Sequence, residues 1–268
     1  MTSLLNLVRI EVRREWLLSK SYWLELVADQ LFFILGFLIL TGLFEVATGG
    51  EYAGTAQMAA LIGYLVWRVA GGCMADVTRS VETDAQWGTL EQVWLSGAEL
   101  GRVLLARGIS FIFYYSLRVL VLATIIGLVL RLPLTFTAAD LPGAMLLYSL
   151  TLISPLGLAF LLSGLHLAFK NVSAITQPLA TILLFLTGAL TPLDGIPVLY
   201  ALSRVLPLSM GIDLLRELLV EGTSLHDILA SGPFVALLIN SALYLGAGLL
   251  VLLWARQKVL SDGSLAHY

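Results

Sequence analysis

Residues 82–97 read Glu82-Thr83-Asp84-Ala85-Gln86-Trp87-Gly88-Thr89-Leu90-Glu91-Gln92-Val93-Trp94-Leu95-Ser96-Gly97, the longest polar interruption in an otherwise apolar first half. Thr83-x-x-Gln86, Thr89-x-x-Gln92 and Ser96-x-x-Glu99 each fit the capping-box pattern. In that pattern a hydroxyl and a side chain three residues on satisfy orphan amides at a helix start. Gly88 and Gly97 permit sharp turns. The spacing predicts a short amphipathic helix near 89–96, set off by turns and followed by a long helix from about Gly97. A two-turn helix does not hold alone, so it must lie against something. On spacing alone it is either an ordinary capped loop between two membrane helices or a docking element.

Working outward, the rest of the chain sets the class. Of its 268 residues 59% are hydrophobic and only 12% charged, with a mean hydropathy of +0.92. Soluble domains carry roughly 25% charged residues, so the composition is that of an integral membrane protein. A net charge of −3 argues against a nucleic-acid partner. The single cysteine, Cys73, lies in an apolar run and reads as a small packed hydrophobe. Met1 to Lys20 mixes charges throughout and does not read as a cleavable signal.

Six segments reach the roughly 20 apolar residues a hydrocarbon core requires. They lie at about 24–46, 56–77, 103–130, 143–169, 172–191 and 233–255. The expected fold is all-α, one transmembrane domain over 1–268, with spans one to five inside 24–191 and a tail at 256–268. Residues 3–19 form an amphipathic helix, placed at 1–20 of the domain. Leu4, Leu5, Val8, Val12 and Trp16 make a stripe bordered by Arg9 and Arg13, which suits a membrane surface, with packing on a soluble partner as the alternative. With the N-terminus inside, ten basic residues fall inside, Arg131, Arg204 and Arg216 fall outside, and Arg68 and Arg118 lie within spans. That bias places both termini, and the 82–97 stretch, in the cytoplasm.

Residues 192–232 are the other unusual region. Pro192, Asp194-Gly195 and Pro197 turn the chain, and Pro207 opens an amphipathic helix closed by Gly222. Its stripe is Leu208, Ile212, Leu215 and Leu219, with Asp213, Arg216 and Glu217 facing away. Residues 191–206 stay apolar for an aqueous loop, which predicts an external segment that dips back into the bilayer.

Charged residues inside spans are expensive and must face protein or water. Glu25 and Asp29 share one face of the first span, Arg68 lies deep in the second and Arg118 in the middle of the third. Similar depth pairs Arg68 with Asp29, either as a static lock or as charge in a transport path. Pro155 and Pro178 permit kinks, and hydroxyl and small residues in the spans mark helix packing. Trp23, Trp87 and Trp94 read as interface anchors or docking residues. The chain has no Gly-x-x-x-x-Gly-Lys-[Ser/Thr] phosphate loop and no metal-ligand or catalytic spacing, so any ATP-derived energy must come from another polypeptide.

Glu82 followed by Gly88-Thr89-Leu90-Glu91-Gln92 and an apolar pair resembles the cytoplasmic loop of the six-helix, type-2 ABC exporter permeases, the group of polysaccharide, nodulation-factor and daunorubicin-type exporters. Pro207-Leu208 with Asp213-Leu214-Leu215-Arg216 resembles that family's external segment before the last span. The chain departs at Gly97, where the family often carries Pro, which leaves the turn geometry open. The resemblance implies that 89–96 is a coupling helix docking on a separate ATPase subunit, with Glu82, Asp84, Gly88, Thr89, Leu90, Glu91, Gln92 and Trp94 as its contacts. ATP and Mg would reside in that partner, with no cofactor or enzymatic activity in this chain. It further implies a second permease copy (a homodimer, or a heterodimer), a prokaryotic plasma membrane, and export of a lipid, glycan or hydrophobic drug. The path would be lined by the first, second and fifth spans, making Phe33, Phe37, Tyr64, Gln177 and Thr181 its candidates. The alternatives are an ion-coupled carrier using Asp29, Arg68 and Arg118, whose internal inverted repeats are not apparent, and a non-transporting assembly factor.

Overall fold

The computed structural model describes residues 3–49, 54–89, 92, 99–132, 137, 139–169, 172–191, 193 and 195–262. Among these every regular element is a helix, and the fold is an all-α integral membrane protein. Helix α1 (Leu4–Ser21) starts on Ser3, whose hydroxyl accepts the Asn6 amide. The helix packs on α4 (Leu100–Leu130) and leaves Val8 and Val12 of the stripe half-buried, while Leu5 and Trp16 stay 80% and 50% exposed, free to meet a membrane surface.

Five stretches are long and apolar enough to cross a membrane: α2 (Trp23–Ala47), α3 (Thr55–Gln86), α4 (Leu100–Leu130), the α5–α6 unit over Leu141–Phe169, and the Gly232–Val259 part of α11 (Gly232–Asp262). Two boundaries differ from the sequence expectation. Helix α3 runs nine residues beyond 77, and Thr83–Gln86 is its last turn rather than a cap. Hydropathy marks where the bilayer ends, whereas a helix continues into water as long as its residues tolerate it. Gly88, at φ +69°, then makes the expected turn. The start of α4 is Leu100, three residues past Gly97.

The fourth span is broken at Leu152 into α5 (Leu141–Thr151) and α6 (Ile153–Phe169). Pro155 has no amide for the Thr151 carbonyl, and the Ser154 hydroxyl takes that carbonyl at 3.2 Å. The fifth expected span shortens to α7 (Ser173–Leu186), 14 residues and about 21 Å, less than a bilayer core. Gly188, at φ +70°, ends it, and residues 187–191 continue without helix.

The 192–232 region becomes α8 (Pro197–Val205) and α9 (Ser209–Leu219), which meet at 101°, followed by the short α10 (Leu225–Leu229). Pro207 lies before the corner rather than inside α9, and Leu208 turns it with φ +83°. That backbone costs on the order of 1–3 kcal/mol, and burial of the Leu208 side chain to 2% exposure holds it there.

Helix α3 is the hub, packed against α4, α6 and α7 and buried along most of its length. The tightest pair is α6 with α11, whose backbones touch at Gly157 and Gly248: a Cβ on Gly248 would collide with the Gly157 carbonyl. Helix α2 is the opposite case, with only Phe37 and Thr41 buried among its 25 residues.

Candidate functional site

A cleft of about 1090 Å³ opens at the α1 end of the bundle between α1, α2, α3 and α4 and reaches Gln177 and Ala180 of α7. Its geometry follows from what each helix contributes at its depth. On α3, Trp67, Arg68, Gly71, Gly72, Ala75 and Asp76 line one wall in helical succession. Gly72 is small because the Tyr115 ring of α4 lies against it; a Cβ there would stand 2.5 Å from the ring. Tyr115 thereby passes Gly72 and donates its hydroxyl to Asp76 at 2.8 Å.

About two turns deeper than Asp76, Arg68 Nη2 donates to Asp29 Oδ2 at 2.6 Å, and Arg118 Nη1 lies 3.9 Å from the same oxygen. Depth alone pairs Arg68 with Asp29; Arg118 joins through α4. Each guanidinium is shielded by rings. Arg68 stacks 3.7 Å from the Phe33 centroid and 4.9 Å from Tyr115, and Arg118 lies 4.4 Å from Tyr114 and 5.2 Å from Tyr115. These contacts offset the cost of cations at span depth.

At the cleft mouth a second network ties three elements. Arg107 of α4 reaches Asp84 of α3 at 2.5 Å and Glu11 of α1 at 3.2 Å, and Asp84 also accepts the Thr89 hydroxyl at 2.9 Å. Arg14 holds Glu11 at 2.8 Å and Glu15 at 3.5 Å. Burial pushes the Glu15 carboxyl above its ordinary value, with Arg14 opposing.

The candidate residues fall into distinct places. Asp84, Thr89 and Gln92 line the cleft mouth with Glu25. Glu82 lies on α3 and accepts Gln86 at 3.4 Å. Leu90, Glu91 and Trp94, and most of the expected 89–96 helix, lie outside the described residues. Of the path candidates, Phe33 and Gln177 line the cleft. Phe37 and Tyr64 do not; they pack in an aromatic cluster with Trp67, ring centroids 5.2 and 5.4 Å from Tyr64. Thr181 is exposed and bonds its own helix at Gln177.

Sequence reasoning missed Arg107, Glu11, Tyr115, Asp76 and Arg216. The Tyr115–Arg118 spacing of three puts ring and cation on one helical face, a signal that was there to read. Arg216 corrects an expectation: it does not face away but is 5% exposed. It donates to the carbonyls of Ala59, Gly188 and Ala189 at 2.9, 2.9 and 2.7 Å. Gly188 and Ala189 follow the end of α7, where backbone carbonyls have no helical partner. Among the described residues no group of three or more His, Cys, Asp or Glu could hold a metal ion.

A multi-pass helical bundle with a charged cleft at one end is the form of a membrane-transport subunit. Residues 6–220 match the family model described as ABC-2 type transporter, so the chain belongs to that family as a transmembrane subunit. The family implies an ABC ATPase partner and a membrane context. No curated protein matches the chain.

Proposed function

We propose that this chain is the permease of an ATP-driven exporter and receives its power stroke through residues 89–96 from a separate ATPase subunit, which supplies ATP and Mg chemistry. The carrying observation is the Arg107 hub: Asp84, in the last turn of α3, and Glu11 of α1 both close on one cation of α4. Thr89, the first residue of the proposed coupling segment, is bonded to the same Asp84. A push beyond Gly88 is thereby delivered to three helices together, and the cleft they bound changes shape. We further propose cytoplasmic termini in a prokaryotic plasma membrane, two permease copies, and a lipid, glycan or hydrophobic drug as cargo.

The test is co-purification and uncoupling. The chain should bring down a nucleotide-binding subunit, and Arg107→Gln or Glu91→Ala should leave ATP hydrolysis within about twofold while export falls about tenfold or more. A Gln92→Cys chain should react with an impermeant maleimide only from the cytoplasmic side. Labelling from outside, or transport by the purified chain alone down an ion gradient, would refute this reading and favour the ion-coupled carrier.

A further inference from the structure

Two guanidiniums from different helices, Arg68 and Arg118, converge on a single carboxylate oxygen of Asp29. Their Nε atoms are both buried and without a hydrogen-bond partner among the described residues. Asp76, the next carboxylate along the wall, is engaged by the Tyr115 hydroxyl. Glu25 stands one turn from Asp29 toward the mouth, Glu15 is held by Arg14, and Arg79 lines the same mouth. At the inner end of the cleft Asp29 is therefore, among the described residues, the one carboxylate within 4 Å of both cations, with Asp76 near enough to interact with both at longer range.

That anion is on the looser side. The Asp29 side chain is 33% exposed, against 10% for Arg68. Helix α2, which carries Asp29, buries two residues only; its other polar ties include Tyr64 to the Phe33 carbonyl at 3.1 Å and Gln57 to Glu45 at 3.5 Å. The walls beside the triad are apolar and aromatic: Phe33, Trp67 and Phe111. Two ring-stacked guanidiniums beside one oxygen, Arg68 bonded to it at 2.6 Å and Arg118 unbonded at 3.9 Å, leave donors for a phosphate or carboxylate, which accepts from Arg in parallel bonds.

We propose that Asp29 is a built-in stand-in for a ligand's anionic group, and that the cleft binds an amphiphile whose phosphate or carboxylate head displaces Asp29 from Arg68 and Arg118. The apolar body lies along Phe33, Trp67 and Phe111. Displacing Asp29 removes the ion pairs between α2 and the α3–α4 wall, so occupancy loosens that helix. The proposal names the cargo chemistry of the permease read above. Its binding test needs no ATPase, so the two readings fail separately.

The experiment uses the full chain in phosphatidylcholine nanodiscs and the anisotropy of a fluorescent phosphatidic acid. The same fluorophore on a phosphocholine lipid is the control. Asp29→Asn, which keeps shape and removes the competing charge, should tighten phosphatidic acid about tenfold. Arg118→Gln should weaken it about tenfold, and the phosphocholine probe should respond to neither substitution. Millimolar inorganic phosphate should not displace the probe; displacement would identify a soluble anion as the ligand and overturn the amphiphile. If Asp29→Asn lowers the melting temperature and leaves phosphatidic acid binding unchanged, the triad is a static lock and the proposal is wrong.

Discussion

Replacing Arg216 with Met keeps a side chain of similar length and apolar stem while removing every donor. Three carbonyls then lose their partner in a site that is 5% exposed, two of them just past the end of α7. An unsatisfied buried acceptor costs about 1–3 kcal/mol. The three share one donor group and relax together, so the costs do not add; removing one partner of a buried charged interaction costs about 3–5 kcal/mol in all. For a chain of this size that is a melting-temperature loss on the order of 10 °C.

Arg216→Lys offers a point charge in place of the fork and should lose roughly 1–2 kcal/mol. Arg204 on the neighbouring α8 is the control. It pairs with Asp213 at 3.1 Å but is 29% exposed, and Arg204→Met should cost less than about 1 kcal/mol. Cys73, the single cysteine and 1% exposed, is a built-in reporter for thermal unfolding in detergent with a fluorogenic maleimide. If Arg216→Met melts within about 2 °C of the unmodified chain, or Arg204→Met costs as much, the capping argument fails.

Two further outcomes follow from packing and charge. Gly248→Ala should be destabilised by about 2 kcal/mol or more, because its Cβ meets the Gly157 backbone. Gly246→Ala, two residues away with nothing within 4 Å, should be neutral or stabilised by up to about 1 kcal/mol; equal melting temperatures would sink the close-contact reading. Burial raises the Glu15 carboxyl above its ordinary 4.5, so its ionised form is penalised in the folded chain. That penalty is full above the folded value and gone below the unfolded one, so Glu15→Gln should raise the melting temperature near pH 8 and leave it unchanged near pH 4. A pH-independent effect would contradict the assignment.

Some of this was legible in residues alone. Hydropathy placed both ends of α2 and α4 and the starts of α3 and α11 to within three residues, because a bilayer demands a minimum apolar length whatever the fold, but it missed the ends of α3 and α11 by nine and seven. Gly88 as a turn was readable from its neighbours, and Asp29 with Arg68 from matched depth. The short α7 was not legible: residues 187–191 are apolar enough to continue a span, and what lets the backbone leave the helix there is a cation 27 and 28 residues later in the chain.

The sequence by itself determined the class, the approximate spans and the depth of each charge, since these follow from composition and spacing along one dimension. Only the tertiary structure decided azimuth: that Arg118 turns toward Asp29, that Arg107 bridges α1 and α3, and that Arg216 points inward. Rotation about a helix axis is set by the neighbour it packs on. A helix apolar on most sides carries little record of which face that neighbour takes.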